Sequence, residues 1–220
     1  MKSVLRSIPI VQPVIRFSQT GVYNIPSNEE YKIRCAEAYR KIEEENPKID
    51  AGHSVNHVKM VENLTSEALG ELLEMIYNGV HRGKSNSDLT SWLANHPIES
   101  LNTPQDVNLR VSVASLLHEV GDRKTIKDGS KTPKADIIAV ILNEIFNDYP
   151  YYSEEMADDI INMVDLCSAS KWGDRIPEET KLYQLLPRWA DRQEATGMIG
   201  IIRCLLYSFS KMDKGFQLLP

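Results

Sequence analysis

The stretch Thr103-Pro-Gln-Asp-Val-Asn-Leu-Arg-Val-Ser-Val-Ala-Ser-Leu-Leu-His-Glu-Val-Gly-Asp122 decides the reading of this chain. Thr103 is a helix-capping residue. Pro104 suits the first helical position, where its missing N–H is no loss, and Asp106 puts negative charge at the positive end of the helix dipole. Val107, Val111, Ala114 and Leu117 recur at helical spacing and form an apolar face. The helix they predict delivers His118 and Glu119 at its C-terminal end, and Gly121 closes it.

The same grammar extends in both directions. Ser27 with Glu30 forms a capping box that predicts a helix to about Glu45, stopped by Asn46-Pro47. Val58, Met60, Val61 and Leu64 mark a second helix from His53 to about Leu64. Ser66 to Tyr77 reads as a third, ending at Gly79, and residues 82–88 as a polar loop before a short helix over 88–95. Downstream, Thr132-Pro133 opens a helix to Phe146. Its Ile137, Ile138, Val140, Ile141 and Ile145 cover much of the circumference, which predicts a central position. Ser153-Glu-Glu opens another to Leu166, and Lys171-Trp-Gly-Asp reads as a loop. Pro177-Glu-Glu starts a helical region interrupted at Pro187, and Met198–Phe209, rich in Ile and Leu, reads as core. Few stretches alternate as strands do. The expected fold class is all-α, a bundle of roughly eight helices formed by residues 27–220 as one domain. Residues 1–26, with Pro9, Pro13 and Pro26, read as a short irregular arm.

Composition narrows the function. A chain of 220 residues, 42% hydrophobic and 25% charged, is long enough for one well-buried domain. Its net charge of −6 argues against stable nucleic-acid binding or attachment to acidic membranes, though not against a small anionic substrate in a local basic pocket. Cys35, Cys167 and Cys204 form no CxxC and are odd in number, so free thiols in a reducing compartment are expected. The N-terminal apolar letters are too broken for a signal peptide, and no run approaches a membrane span. A cytoplasmic protein is expected; its oligomeric state is not legible.

Three distant segments carry chemistry. Asp50, His53 and His57 open one helix, His118-Glu119 end a second, and Asp191 lies in a third. The i, i+4 spacing of His53 and His57 puts them on one helical face, and each alone is weak evidence. Their sum is two imidazoles and two carboxylates, a set suited to one hard-to-borderline divalent metal. These segments resemble the HD-domain metal-dependent phosphohydrolases. The likeness rests on Asp50-x-x-His53-x-x-x-His57-Val-x-x-Val, on Leu-Leu-His118-Glu119-x-x-Asp122-x-Lys124, and on Ala190-Asp191-Arg192-x-x-Ala-x-Gly197-x-x-Gly200. It covers residues 45–212, and the closer likeness is to the small nucleoside-triphosphate pyrophosphohydrolase-like branch.

The resemblance implies that His57, His118, Glu119 and Asp191 ligate one divalent ion (Mn, Mg, Co, Ni or Fe). It places Asp50 and His53 behind the ligands or facing substrate, with Asp50 a candidate to orient a ligating imidazole. Asp122 would orient or deprotonate the attacking water. Lys124 would face phosphate oxygens, joined by Lys171 and Arg192, with Arg123 also near. The implied substrate is a nucleotide or related phosphate ester. In one respect the chain departs from the family: Glu119 stands where the second member of the His-Asp pair is an aspartate. The extra methylene adds roughly 1.5 Å of reach. Glu119 still binds, or Asp122 takes its place, or the site is degenerate and the module binds a nucleotide or protein partner without turnover. Trp189, where the branch tends to carry an acid, is a second departure. Gly79-Val-His-Arg-Gly-Lys-Ser85 is one residue short of a phosphate-binding loop and follows a helix, so it reads as chance. His81 and His96 read as solvent-facing, and Tyr149-Pro-Tyr-Tyr152 as packing.

Overall fold

The computed structural model describes residues 27–46, 49–74, 104–122, 125, 132–196 and 200–202. Several expectations fall outside them: the arm over 1–26, the loop and short helix over 82–95, residues Thr103, Arg123, Lys124 and Cys204, and most of the final helix. Within them the protein is all-α, with no strand among the described residues. In chain order the helices are α1 (Asn28–Glu45), α2 (Val55–Glu74), α3 (Pro104–Leu117), α4 (Lys134–Ile145), α5 (Glu154–Leu166), α6 (Ala169–Trp172) and α7 (Leu186–Glu194). Short 3-10 turns precede α2 (Ala51–His53) and α7 (Leu182–Leu185). No helix among the described residues is long and apolar enough to cross a membrane.

Two serine caps form as expected, but the box at Ser27 is half made, because the Glu30 carboxylate pairs with Arg34 at 2.7 Å, and α4 opens after Pro133 with no side-chain cap. The Ser27 hydroxyl accepts from the Glu30 amide at 3.2 Å and α1 ends at Glu45. Ser153 accepts from the Met156 amide at 3.2 Å to open α5. Each hydroxyl satisfies an amide that has no partner inside the helix, worth about 1 kcal/mol.

The expected break between Leu64 and Ser66 is absent. One helix runs from Val55 to Glu74, because both hydroxyls at the expected junction are absorbed within it. Thr65 donates back to the Val61 carbonyl at 2.8 Å, and Ser66 to the Glu62 carboxylate at 2.8 Å. Helix α2 starts at Val55, whose amide is capped by the Glu43 carboxylate at 2.8 Å, so His53 lies in the preceding 3-10 turn.

The central helix is α3, not α4. Helix α3 packs against α1, α2, α5 and α7, and every residue from Val111 to Val120 is buried. Its Ser115 is internally satisfied: the single hydroxyl hydrogen is shared between Thr65 Oγ1 at 2.8 Å and the Val111 carbonyl at 2.9 Å. Small hydroxyl residues at this crossing let α2 and α3 approach closely. Helix α4 leaves Val140 exposed and packs on α1 and α5 through buried Ile138, Ala139, Leu142 and Ile145, with Ile137 and Ile141 half-buried beside them.

Two further corrections concern the C-terminal part. Lys171-Trp172 belong to the single helical turn α6, closed by Gly173 at φ +53°. Pro187 starts α7 instead of interrupting a helix, since it occupies the first turn, where a proline loses no hydrogen bond. Cys35 and Cys167 are buried free thiols. Tyr149 and Tyr152 pack on the Phe146 ring at 5.7 and 5.3 Å, as packing residues do, and Tyr151 is exposed.

Candidate metal centre

Helices α2, α3 and α7 meet where α3 ends, and each contributes to one cluster. His57 comes from the first turn of α2, His118 and Glu119 from the turn that ends α3, and Asp191 from the middle of α7. One donor atom from each of the four lies within 4.8 Å of all the others. The Nε2 atoms of His57 and His118 are 3.1 Å apart. Glu119 Oε1 stands 3.7 Å from the first and 3.6 Å from the second, and Asp191 Oδ1 stands 3.5 and 3.6 Å from them. Two donors each about 2.1 Å from an ion, at tetrahedral or octahedral angles, are separated by roughly 3.0 to 3.4 Å. The observed separations run from 3.1 to 3.7 Å, so the four groups could hold one cation that drew them a few tenths of an ångström together.

Both imidazoles turn Nε2 toward the cluster. His118 Nδ1 lies 2.7 Å from the Ser115 carbonyl, which can only accept, so Nδ1 carries the hydrogen and Nε2 offers a lone pair to the cluster. His57 Nδ1 lies 3.3 Å from Glu194 Oε2, at an angle outside hydrogen-bond geometry, where the negative charge favours the tautomer with hydrogen on Nδ1. Two lone pairs and two carboxylates therefore face one another in a place where three of the four side chains are at most 7% exposed. Asp191, at 24%, is the open side.

Two carboxylates beside two imidazoles favour positive charge. Burial pushes the His118 imidazole down, but the carboxylates of Asp191 and Glu119 overcome this and hold it above the ordinary value of 6.5. A raised folded-state value means that protonated His118 stabilises the metal-free fold below about pH 6.5, and that this contribution is lost as pH rises through the folded value. We therefore expect the metal-free melting temperature to fall as pH rises from 6.5. The increment from added Mn²⁺ is expected to grow over the same range, because the ligands must be deprotonated to bind. Paired melts with chelator and with Mn²⁺ check both; an increment that shrinks with pH would count against a metal at this imidazole.

Soft ligands are not in the set. Cys167 is buried within electrostatic reach of Asp191 and Glu119, but burial first, and then Asp191, push its thiol well above the usual range. It donates to the Met163 carbonyl at 3.4 Å. The donors are two nitrogens and two carboxylates, the mixture expected for a hard-to-borderline divalent ion.

The other site residues sit as follows. Asp50 does not orient a ligand. Its Oδ1 accepts from the Gly52 amide at 2.8 Å and lies 2.9 Å from His53 Nδ1, so it caps the 3-10 turn and holds His53. The His53 ring centroid is 6.2 Å from that of His57, beside the cluster and not in it. Asp122 lies 2.7 Å from the Lys134 ammonium, which also donates to the His118 carbonyl at 2.8 Å. Asp122 is thus engaged outside the four donors, and Glu119 supplies the carboxylate that the resemblance places at its position. Lys171 pairs with Asp165 at 2.6 Å and Arg192 bonds the Gly173 carbonyl, so both cations are engaged with partners other than the four donors. Trp189 is exposed.

Sequence reasoning missed Glu194 and Lys134. Glu194 was findable, since it follows Asp191 by three residues and so shares its helical face. Lys134 was not, because no periodicity links it to His118.

Comparison with known proteins adds one relationship. Over 123 residues the chain is 33% identical to an uncharacterised protein, L803, of Acanthamoeba polyphaga mimivirus, a match covering 52% of this chain and 49% of that protein. The chain thus aligns with about half the length of this curated relative. No family model matches the chain, and no solved structure matches it.

Proposed function

We propose that this protein is a metal-dependent phosphohydrolase acting on nucleotides, cleaving a nucleoside triphosphate to its monophosphate and pyrophosphate. The observation that carries the reading is the buried convergence of His57, His118, Glu119 and Asp191 with both Nε2 atoms turned inward. The nucleotide substrate follows from the resemblance of the three segments to HD-domain phosphohydrolases. A divalent cation held there supplies positive charge against phosphoryl oxygens and acidifies water.

The chain's own residues do the rest. Ser115 fixes the His118 tautomer through its carbonyl. Asp122, which stays 36% exposed, is the carboxylate assigned to take a proton from the attacking water, and Lys134 holds it in place. Lys124, Lys171 and Arg192 are the cations assigned to the phosphate oxygens, the last two exchanging their present partners for substrate. Incubating the purified protein with a panel of nucleoside triphosphates and Mn²⁺, Co²⁺ or Mg²⁺ tests the proposal. Release of pyrophosphate is expected, and no release under any combination overturns it.

Glu119 favours one rival, a degenerate module that binds without turnover. Glu119→Asp separates the two. Glu119 Oε1 already stands within 3.7 Å of both imidazoles, and the shorter side chain withdraws the carboxylate by roughly 1.5 Å. We expect the variant to bind Mn²⁺ about tenfold more weakly and to lose activity in step. A gain in affinity or turnover would favour the degenerate module.

A further inference from the structure

His57 has two ring nitrogens on opposite sides of the imidazole, and the fold uses both. Nε2 faces His118, Asp191 and Glu119. Nδ1 lies 3.3 Å from Glu194 Oε2, a charge contact outside hydrogen-bond geometry. His57 is 4% exposed and Glu194 6%, so this pair interacts in a medium with little water to weaken it. Glu194 meets the ring at the nitrogen turned away from the four donors, so it is not a fifth ligand through this contact. We propose that Glu194 is the positioning residue for cation binding: the charge of its carboxylate keeps the hydrogen of His57 on Nδ1 and strengthens the electron donation of Nε2.

The placement supports this. Asp191 and Glu194 share one face of α7 at i, i+3, so a single helix supplies one ligand and the carboxylate behind another. His118 is served differently, by the neutral carbonyl of Ser115. The two imidazoles are therefore unequal, with His57 the stronger donor, and any shift of α7 displaces a ligand and a ligand's support together.

The inference rests on the metal-site reading, and its test separates the two. Co²⁺ is titrated into the full-length protein and into Glu194→Gln and Glu194→Asp, following the visible ligand-field bands, with metal-free melts alongside. Glutamine keeps the shape and removes the charge; aspartate keeps the charge and shortens the reach. The expected result is binding weakened 10- to 100-fold in Glu194→Gln, with altered bands and an unchanged metal-free melting temperature, and a smaller loss in Glu194→Asp. No Co²⁺ uptake by the parent protein overturns the metal site and this inference together. Uptake by the parent with equal affinity and bands in Glu194→Gln overturns the inference alone. So does a glutamine variant that binds more tightly than the aspartate one, or one that melts earlier without metal yet binds Co²⁺ undiminished, since either assigns the contact to shape or stability instead of charge.

Discussion

His118→Ala is expected to reduce bound metal from about one equivalent per chain to a trace, and nucleotide turnover with it. The expectation follows from the position of the side chain. Its Nε2 is 3.1 Å from His57 Nε2 and 3.6 Å from both carboxylate oxygens, so it is the donor through which the α2, α3 and α7 contributions meet. Alanine leaves one nitrogen and two carboxylates, and opens a buried gap where the ring stood. His53→Ala is the control. That histidine is engaged with Asp50 in the turn before α2, its ring 6.2 Å from His57, and its variant is expected to keep the metal. Elemental analysis of both variants after dialysis decides the matter. Undiminished metal in His118→Ala removes it from the ligand set, and metal lost equally in both variants points to disturbed packing.

Asp159→Ala is expected to lower the stability of the fold by about 3 kcal/mol. Asp159 lies on α5, 7% exposed, and gathers donors from two other elements. The Tyr183 hydroxyl donates to its two oxygens at 3.0 and 3.1 Å, Gln184 Nε2 at 2.6 Å, and Arg110 Nη1 from α3 at 3.1 Å. Alanine would strand a buried hydroxyl, an amide and a guanidinium, and an unmet buried donor costs more than a bond gains. Asp159→Asn keeps an acceptor oxygen for Tyr183 and is expected to lose about half as much. Urea unfolding of the three proteins measures the difference; a loss below about 1 kcal/mol for alanine would mean that water replaces the carboxylate.

How much of this was legible depended on the range of the interactions involved. Capping is local, and Ser27 and Ser153 mark helix starts that the structure keeps. The His118-Glu119 pair was placed at a helix end from Pro104, Asp106 and Gly121 alone, and Gly121 does adopt the left-handed φ of +78° that closes it. Failures came where a residue has two local uses. Ser66 can cap a helix or donate to Glu62 inside one, and packing of α2 along α3 and α7 selected the second. Pro187 can break a helix or begin one. An Ile-rich pattern suggested a central α4, but α3 is central because serines at a tight crossing bury as readily as isoleucines once their hydroxyls are satisfied. At the site, residue types and order were readable. The local partner of His118, the Ser115 carbonyl three residues earlier, followed from the helix itself; Glu194 did not, because it reaches His57 only after α7 has docked on α2.

The donors also have an order in time. His57, His118 and Glu119 emerge from the ribosome well before Asp191. Until α7 folds onto α2, the nascent chain can offer two imidazoles and one carboxylate but not the finished cage, nor the carboxylate behind His57. If the proposed site binds a cation, capture is a late event in biogenesis, and a nascent chain stalled before α7 is expected to hold it more weakly than the completed protein.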